Sequence, residues 1–394
     1  MAKTLRILVT GGGTGGHVSP ALATVRELSQ LAQVSGSGWQ PLFRYIGSRH
    51  GIEQRLAQEA GLDFVGVETG KLRRAFKLRD YFSRANFLDA LRVPVGVCQS
   101  LVQVFRFRPN VVLSTGGYVC VPPIIAAWLL RVPIVTHEQT VQIGLANRIA
   151  ARFATRIALS FEGASAELPA RLRKKAFVSG NPVRQAIFGG NPDRAQTFCG
   201  FDPADTALPT IYVTGGAQGA RIINRSIEEI LPDLLQICHI VHQCGQQPAD
   251  DEQDYDRLLE LAVHLPPPLR RRYFLTRFVG EEIADIFALA ALVVSRSGAG
   301  TVTEVSALGK PALFVPLVPT GGDEQTKNAQ RSQQAGAAVI ISQTELNGAS
   351  LYRELSTLLA APAKLTGMGR AALILTRPQA AHDLALAVLA IAKK

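Results

Sequence analysis

Short runs of apolar residues alternate along the chain with longer segments in which apolar residues recur at helical spacing. In the first half the apolar runs predict strands at Leu5–Thr10, Leu42–Gly47, Val111–Ser114, Ile134–His137 and Arg156–Leu159. The pattern repeats after residue 205, with predicted strands at Thr210–Thr214, Ile237–His242, Leu292–Ser295, Ala312–Val315 and Ala338–Ile341. Strands that are apolar on both faces and separated by helices are typical of parallel sheets. The sequence therefore predicts an α/β protein built from doubly wound parallel sheets.

Two of the predicted strands end in related glycine loops. VTGGGTGG spans residues 9–16, and VTGGAQGA spans residues 213–220. This internal repeat indicates two Rossmann-like domains rather than one large sheet. The segment GNPVR, residues 180–184, breaks both helix and strand and predicts the junction. We expect the divisions to be a first domain at 1–181, a second at 182–377, and a C-terminal helix within 378–394 that packs back on the first domain.

The positive charge of the chain is concentrated in its first half. Residues 1–181 hold 23 Lys and Arg against 10 Asp and Glu, the remainder holds 19 against 21, and these balances of +13 and −2 make up the net charge of +11. The first domain is therefore expected to meet an anionic partner. The five Cys have no Cys-x-x-Cys spacing, which predicts reduced thiols in a cytosolic protein. The longest apolar run, Val119–Leu130, is too short to span a bilayer, and no signal peptide is expected.

Residues 71–92 combine positive charge with apolar side chains. The segment KLRRAFKLRDYFSRANFLDALR holds seven basic and two acidic residues, interleaved with aromatic and aliphatic ones. Such a pattern predicts a surface that lies on an anionic membrane. A nucleic-acid surface also uses basic and aromatic residues, and a helical hairpin with exposed arginines is a third interpretation. We expect the membrane surface and no nucleic-acid partner.

The first glycine loop is a candidate ligand site. Its glycines satisfy G-x-G-x-x-G directly after a strand, which favours close approach of the backbone to a ligand. An NAD site needs an acidic residue at the end of the second strand, but that strand ends in Ile46-Gly47-Ser48-Arg49. Arg49 suits a 2′-phosphate, so NADP stays open as an alternative.

His17 follows this loop, where we expect a helix that begins near Pro20. The carboxyl end of a parallel strand is where open α/β sheets bind ligands. An imidazole titrates near neutrality, so His17 is a candidate general base, with a structural histidine as the alternative.

The second half contains two loops that suit a diphosphate. GGAQGAR, residues 215–221, and RSGAGTVTE, residues 296–304, each follow a predicted strand and lead into a helix. Main-chain N–H groups at helix N-termini bind phosphates without a metal. Glu304 lies one turn into its helix, where its carboxylate could bind a ribose diol or simply favour the first helical turn.

No metal site is expected. Asp254-Tyr255-Asp256 has the D-x-D spacing of metal-dependent glycosyltransferases, but it lies in a charge-rich helix start that predicts a solvated face. His239 and His242 lie three residues apart in a predicted strand and so point to opposite faces.

Several motifs together resemble the MurG family, the bacterial N-acetylglucosaminyltransferases that complete the lipid-linked disaccharide of peptidoglycan. The motifs cover nearly the whole chain and occur in this order: GGTGGH (12–17), STGGYV (114–119), HEQ (137–139), GNPVR (180–184), GGAQGAR (215–221), RSGAGTVTE (296–304), PALFVPL (311–317) and DEQTKNA (323–329).

The resemblance implies the GT-B architecture, two Rossmann-like domains that face across a cleft. It implies inverting transfer of N-acetylglucosamine from UDP-N-acetylglucosamine, held by the second domain, to the 4-hydroxyl of undecaprenyl-diphosphate-linked N-acetylmuramyl-pentapeptide (lipid I), held by the first. The product is lipid II. No metal or other cofactor is implied, and the enzyme is expected on the cytoplasmic face of the bacterial cell membrane as a peripheral protein.

The resemblance also implies roles for individual residues. His17, or failing that Glu138, is the expected catalytic base. Glu304 is the expected ribose ligand, and Val279 is expected against uracil. The full set of expected substrate-binding residues is Thr14, Gly15, Gly16, Tyr118, Thr140, Asn147, Arg184, Ala217, Gln218, Gly219, Val279, Ala299, Gly300, Thr301, Val302, Thr303, Glu304, Gln325 and Asn328.

The chain departs from the family pattern at three of these positions. Thr140 stands where the family usually has Asn, Ala217 where it has Ser, and Gly300 where it has Leu. Alternatives in function are a glycosyltransferase that acts on another lipid such as diacylglycerol, a UDP-N-acetylglucosamine 2-epimerase, an NADP oxidoreductase, and a non-catalytic binder of membrane or nucleic acid.

Overall fold

The computed structural model describes residues 3–34, 38–70, 84–205, 207–246, 253–317 and 323–393. The chain divides into two compact units. The first consists of Met1–Arg184, Thr320–Glu324 and Arg377–Lys394, and the second of Gln185–Pro319 and Gln325–Thr376.

The first unit has a seven-stranded parallel sheet in the order β3-β2-β1-β4-β5-β6-β7. Its strands are β1 (Lys3–Thr10), β2 (Trp39–Ser48), β3 (Asp63–Val67), β4 (Val111–Ser114), β5 (Ile134–Glu138), β6 (Arg156–Leu159) and β7 (Ala176–Val178). Its helices up to the junction are α1 (Gly15–Gln33), α2 (Ile52–Glu59), α3 (Arg84–Phe107), α4 (Val121–Leu129), α5 (Leu145–Phe153) and α6 (Ala170–Arg173), with 3₁₀ turns at Tyr118–Cys120 and Glu162–Glu167.

The second unit has a six-stranded parallel sheet in the order β10-β9-β8-β11-β12-β13. Its strands are β8 (Thr210–Thr214), β9 (His239–Gln243), β10 (Tyr273–Thr276), β11 (Leu292–Ser295), β12 (Ala312–Phe314) and β13 (Ala338–Ile340). Its helices are α7 (Pro192–Cys199), α8 (Arg221–Leu234), α9 (Asp254–Val263), α10 (Pro267–Arg270), α11 (Ile283–Leu289), α12 (Ala299–Ala307), α13 (Glu324–Gln334), α14 (Gly348–Leu359) and α15 (Pro362–Ile374), with a 3₁₀ turn at Gln185–Ile187.

Both sheets follow one strand order, with the first strand of each unit at the centre and the order reversing beside it. This is the order of doubly wound nucleotide-binding folds, and every strand pair in it is parallel. The predicted fold class, two Rossmann-like parallel-sheet domains, is confirmed.

Three strands were not predicted from the apolar pattern. They are β3, β7 and β10, and each lies at the edge of its sheet. An edge strand has only one neighbour and needs less apolar surface, so β3 contains Asp63 and Gly66.

The core of the first unit lies on both faces of its sheet. Along β1, Ile7 and Val9 pack with α1 on one face, and Leu8 packs with α4 on the other. The last helix, α16 (Ala380–Ile391), packs on α1, and its Leu384 and Val388 belong to the same buried cluster as Ile7. Full burial of such side chains contributes about 1.5–3 kcal/mol each.

Within the residues that the structure describes, no helix is both long and apolar enough to cross a bilayer. Residues 71–83 of the predicted membrane-facing segment lie outside the described residues. The rest of that segment forms the start of α3.

Candidate functional site

The two sheets place the glycine loops at the positions where strand order reverses. In the first unit this point lies between β1 and β4, and the loops that follow these strands bind each other. The Gly12 N–H donates to the Gly116 carbonyl at 3.2 Å, and the Thr115 N–H donates to the Thr10 carbonyl at 3.0 Å. The motifs GGTGGH and STGGYV therefore form one connected structure at the carboxyl edge of the sheet, where open α/β sheets hold ligands.

Helix α1 begins at Gly15, so the expectation of a start near Pro20 is wrong. Pro20 is the sixth residue of the helix, not the first. The glycines supply the first turn, and Thr14 precedes it without capping it through its side chain. The N–H groups of this first turn therefore have no side-chain cap, and they begin within the glycine motif itself.

The Thr14 hydroxyl instead contacts the candidate base. Its oxygen lies 2.7 Å from Nδ1 of His17, and the Thr115 hydroxyl donates to the His17 carbonyl at 2.6 Å. Burial lowers the pKa of His17 to about 4, while the carboxylate of Glu53 acts in the opposite direction. The imidazole is neutral at pH 7. When Nδ1 donates its hydrogen to Thr14, Nε2 carries the lone pair that can accept a proton.

The second candidate base, Glu138, has its oxygens occupied. It is 4% exposed at the end of β5. Its carboxylate accepts hydrogen bonds from four donors: the Thr140 N–H (3.0 Å), the Thr140 hydroxyl (2.8 Å), the Gly144 N–H (3.0 Å) and the Asn147 side-chain amide (2.8 Å). Burial raises the pKa of Glu138, and these hydrogen bonds lower it. This geometry makes Glu138 the organiser of the loop between β5 and α5 and favours His17 as the base.

Two expected substrate ligands belong to this cluster. Thr140, which replaces the family's Asn, directs its hydroxyl to Glu138 and to the Gln142 carbonyl. Asn147 is buried, and its amide donates to Glu138 and to the His137 carbonyl at 3.1 Å. Both side chains shape the loop from within.

The other two residues of the HEQ motif, His137 and Gln139, link the loop after β4 to the GNPVR segment. Gln139 donates to the Thr115 carbonyl at 2.5 Å, and its amide lies 3.1 Å from Nδ1 of His137. Nε2 of His137 lies 2.9 Å from the Gly180 carbonyl, at the start of GNPVR. Burial lowers the pKa of His137 to about 4. The neutral ring therefore accepts at Nδ1 and donates from Nε2.

A polar cavity of about 400 Å³ lies beside the first loop. Two ion pairs contribute to its wall, Arg49 with Glu68 (3.6 Å) and Arg92 with Asp89 (3.0 Å). Tyr118 also lines it, and its ring packs where a side chain at Gly13 would lie. The first unit therefore offers a charged recess next to His17's loop.

In the second unit the two glycine loops again flank the point of order reversal, after β8 and β11. Gly216, Ala217 and Gln218 are exposed at the tip of the first of these loops. Gly219 has φ +76°, and a side chain there would lie 2.0 Å from the Cys244 carbonyl oxygen. Only glycine fits this position.

Helices α8 and α12, which follow these loops, have no side-chain cap on their first N–H groups. Ala299 to Thr301 are partly exposed in the first turn of α12, and Glu304 lies further along this helix. Main-chain N–H groups in the first turn of a helix are suited to an anion.

Other residues expected to bind the sugar donor are more deeply buried in the second unit. Val279 is 6% exposed and packs in the core of the second unit. Asn328 is 4% exposed, and its amide donates to the Ser297 carbonyl at 3.1 Å. The side-chain oxygen of Gln325 accepts from the Leu317 N–H at 3.0 Å. The remaining expected residues, Val302 and Thr303, lie within α12, and Arg184 is exposed at the unit boundary.

The expectation of a solvated face at Asp254 is wrong. Asp254 is 2% exposed, and it accepts a hydrogen bond from the Asn224 amide at 2.7 Å. Arg221 and Arg225 lie within 4 Å of its other oxygen. Asn224 also contacts Nε2 of buried His242 at 3.1 Å. Asn224 also donates to the Cys244 carbonyl, which lies against Gly219 of the GGAQGAR loop. The local sequence around Asp254 gave no signal of this network, because its partners come from α8 and from strand β9.

His239 and His242 do point to opposite faces of β9. His239 stacks on Phe201 and approaches Asp205, while His242 faces Tyr273. Among the described residues, no group of three or more His, Cys, Asp or Glu is placed to bind a metal ion. The first unit therefore offers the neutral imidazole of His17, and the second offers main-chain N–H groups that can donate to an anion.

The chain is similar to glycosyltransferase family 28 over most of its length. Residues 7–159 match the family's N-terminal domain, and residues 210–384 match its C-terminal domain. A protein of Treponema pallidum (strain Nichols) is 37% identical over 96% of this chain and 94% of its own length. A protein of Legionella pneumophila (strain Lens) is 34% identical over 90% and 88%. Both are named UDP-N-acetylglucosamine--N-acetylmuramyl-(pentapeptide) pyrophosphoryl-undecaprenol N-acetylglucosamine transferase.

Solved structures share the fold. The crystal structure of Acinetobacter baumannii MurG matches with a TM-score of 0.71 and 25% identity, over 98% of this chain and 99% of that chain. A UDP-GlcNAc 2-epimerase of Neisseria meningitidis, solved bound to UDP-GlcNAc, matches with a TM-score of 0.64 and 13% identity, over 98% and 100%. At that identity the second likeness shows the fold alone.

Proposed function

Because the chain belongs to glycosyltransferase family 28, we propose that it transfers N-acetylglucosamine from UDP-N-acetylglucosamine to the 4-hydroxyl of undecaprenyl-diphosphate-linked N-acetylmuramyl-pentapeptide. The observation that carries this proposal is similarity along nearly the whole chain, at 37% identity, to a transferase named for this donor and acceptor. The epimerase alternative rests on a likeness of fold at 13% identity. The resemblance noted in the sequence motifs is confirmed at the level of the family.

In the proposed reaction His17 removes the proton from the acceptor hydroxyl. The neutral imidazole accepts it at Nε2, while Thr14 holds Nδ1. The acceptor oxygen then forms a bond to the anomeric carbon from the face opposite UDP. The bond from that carbon to the β-phosphate oxygen breaks, and its electron pair leaves with UDP, so the configuration inverts.

The leaving diphosphate gains negative charge, which the second unit is suited to stabilise. The uncapped N–H groups of α8 and α12 supply fixed donors. Arg184, the last residue of the first unit before the junction, is proposed to add a positive side chain. Preorganised donors of this kind stabilise developing charge without a metal. Glu304, one turn along α12, is proposed to bind the ribose diol, and the polar cavity near Tyr118 is proposed to receive part of the acceptor.

We propose that the first unit works against the cytoplasmic face of the membrane as a peripheral surface. The sequence of residues 71–92 is basic and apolar, and one side of α3 continues the apolar character with exposed Leu91, Val95, Val102 and Phe105. These positions fall on one helical stripe. Replacement of Val102 and Phe105 with Ser should reduce sedimentation with anionic vesicles, and unchanged sedimentation would contradict this part of the proposal.

The test of the reaction is a UDP-release assay with purified protein, UDP-N-acetylglucosamine and the lipid-linked muramyl acceptor. We expect UDP release only when the acceptor is present, together with a disaccharide product of inverted anomeric configuration. UDP release or sugar isomerisation without the acceptor would favour the epimerase. Absence of UDP binding in a calorimetric titration would refute both.

A further inference from the structure

A buried carboxylate lies directly behind the first glycine loop. Glu53, the second residue of α2, is completely buried. One of its oxygens accepts from the Gly13 N–H at 3.1 Å, and the other accepts from the Ser48 N–H at 2.9 Å. The carboxylate thus joins the loop after β1 to the end of β2 through main-chain donors.

The surrounding glycines make room for this side chain. A Cβ at Gly12 would lie 2.5 Å from the Glu53 carboxyl carbon, one at Gly47 would lie 2.7 Å from its Cγ, and one at Gly51 would lie 2.1 Å from a carboxylate oxygen. Glycine loops of this type usually offer such N–H groups to a phosphate of a ligand. Here the position is filled by the protein's own anion.

We propose that Glu53 is a positioning residue for the transfer reaction: its carboxylate takes the place of a ligand phosphate behind Gly12 and Gly13, fixes the loop that carries Thr14 and His17, and supplies a negative charge that acts on His17. This inference rests on the proposed function, in which His17 is the base. It also implies that the acceptor diphosphate does not bind the Gly13 N–H.

The electrostatic part of the proposal has a definite sign. A neighbouring anion stabilises the protonated imidazole, and Glu53 raises the pKa of His17 against the larger effect of burial. Loss of the charge should therefore move protonation of His17 to lower pH. Other titratable groups that the surrounding elements bring to this region are Tyr45 of β2, Arg49 and His50 after it, Glu68 after β3, Asp89 and Arg92 of α3, Tyr118 and Cys120 of the 3₁₀ turn, and His137 and Glu138 of β5.

The test compares Glu53→Gln and Glu53→Asp in the full chain, with Glu59→Gln as the matched control. Glu59 lies on the same helix, is 61% exposed, and pairs only loosely with Arg55 at 3.7 Å. We expect Glu53→Gln to lower kcat about tenfold or more, because the loop loses one main-chain bond and shifts. The KM for UDP-N-acetylglucosamine should stay within about twofold of the wild-type value. The fall of kcat at low pH, its acid limb, should move to lower pH. Glu59→Gln should match the wild type.

Glu53→Asp separates charge from position. It keeps the anion on a shorter side chain, so we expect a lowered kcat with the acid limb at its wild-type place. A wild-type kcat or an unmoved acid limb in Glu53→Gln overturns the proposal. If Glu53→Gln does not fold, a wild-type kcat in Glu53→Asp overturns it. Should the wild type release no UDP with the acceptor, the proposed function fails, and NMR titration of the His17 ring in the same variants still decides the role of Glu53.

Discussion

Nδ1 of His17 lies 2.7 Å from the Thr14 hydroxyl, three residues before it at the start of α1. This contact fixes which ring nitrogen faces the protein and which remains for an acceptor. It depends on a helix that starts within the glycine motif, because only then do residues 14 and 17 fall one turn apart.

Replacing Thr14 with Val should remove the partner of Nδ1 while keeping the shape of the side chain. We expect kcat to fall about tenfold, a part of the roughly 10²–10⁴-fold that a positioned general base contributes. Thr14→Ser keeps the hydroxyl and should recover most of the rate. Steady-state kinetics with varied acceptor measures this, and a Thr14→Val rate within twofold of the wild type would exclude the orienting role.

The pH dependence of the reaction should reflect the lowered pKa of His17, about 4. An ordinary histidine would lose activity as the pH falls through 6.5. We expect kcat/KM for the acceptor to remain level from pH 7 down to about 5 and then to fall. His17→Ala should abolish this limb together with most of the turnover, while donor affinity changes little. A limb centred near pH 6.5 would contradict the lowered pKa of His17, and a limb that persists in His17→Ala would show that His17 is not the titrating base.

Glu138 should behave as a scaffold residue. In Glu138→Gln an amide NH₂ replaces one of the two accepting oxygens. Either the N–H and hydroxyl of Thr140 lose their acceptor, or the Gly144 N–H and the Asn147 amide do. We expect lower thermal stability and lower kcat, with the acid limb in its original place. Thr140→Asn restores the family residue and should be tolerated if its amide can still donate to Glu138. An acid limb that disappears in Glu138→Gln would identify Glu138 as the base instead.

Buried histidines should make folding stability depend on pH. Burial lowers the pKa of His137 to about 4 and that of His242 to about 3. Between these values and 6.5 the unfolded chain binds more protons than the folded one, so stability falls as the pH is lowered through this window. His242→Leu should be less stable at pH 7, because Asn224 loses a partner, and should show a smaller change between pH 7 and 5. Urea unfolding at pH 7 and at pH 5 measures the free energy of unfolding of each protein. If that free energy changes with pH as much in His242→Leu as in the wild type, His242 does not contribute to the pH dependence.

The central strands and both glycine loops could be predicted from the sequence, because strands buried on both faces are apolar without interruption and glycine loops are local signals. β1 and β4 illustrate this, since Val111–Ser114 was predicted at its observed bounds. The start of α1 was misplaced because a proline usually marks a first turn, whereas here glycines precede it.

Buried charged residues could not be predicted in the same way. Glu53 and Asp254 are polar in the sequence, and each is buried only because N–H, amide or guanidinium groups from other elements surround it. The local composition predicts that both side chains are exposed to solvent. The deep positions of Val279 and Asn328 are likewise set by packing within the second unit and not by any motif.

The GGAQGAR loop of the second unit allows a test in which backbone strain is held constant. Gly219 and Gly189 have nearly equal φ values, +76° and +77°, so Ala at either position costs similar conformational energy. A Cβ at Gly219 would lie 2.0 Å from the Cys244 carbonyl oxygen, whereas a Cβ at Gly189 meets nothing within 4 Å. Gly219→Ala must therefore displace the loop that precedes α8.

We expect Gly219→Ala to weaken UDP binding about tenfold or more in a calorimetric titration, because displaced N–H groups no longer converge on the diphosphate. Gly189→Ala should bind UDP within about twofold of the wild type and should lose less thermal stability than Gly219→Ala, because it has the backbone strain without the steric contact. Since the pair shares strain and differs in steric contact, equal UDP affinities in the two variants would mean that the GGAQGAR loop does not hold the donor. Unequal UDP affinities, measured at a temperature at which both variants are folded, would assign the difference to the geometry of that loop.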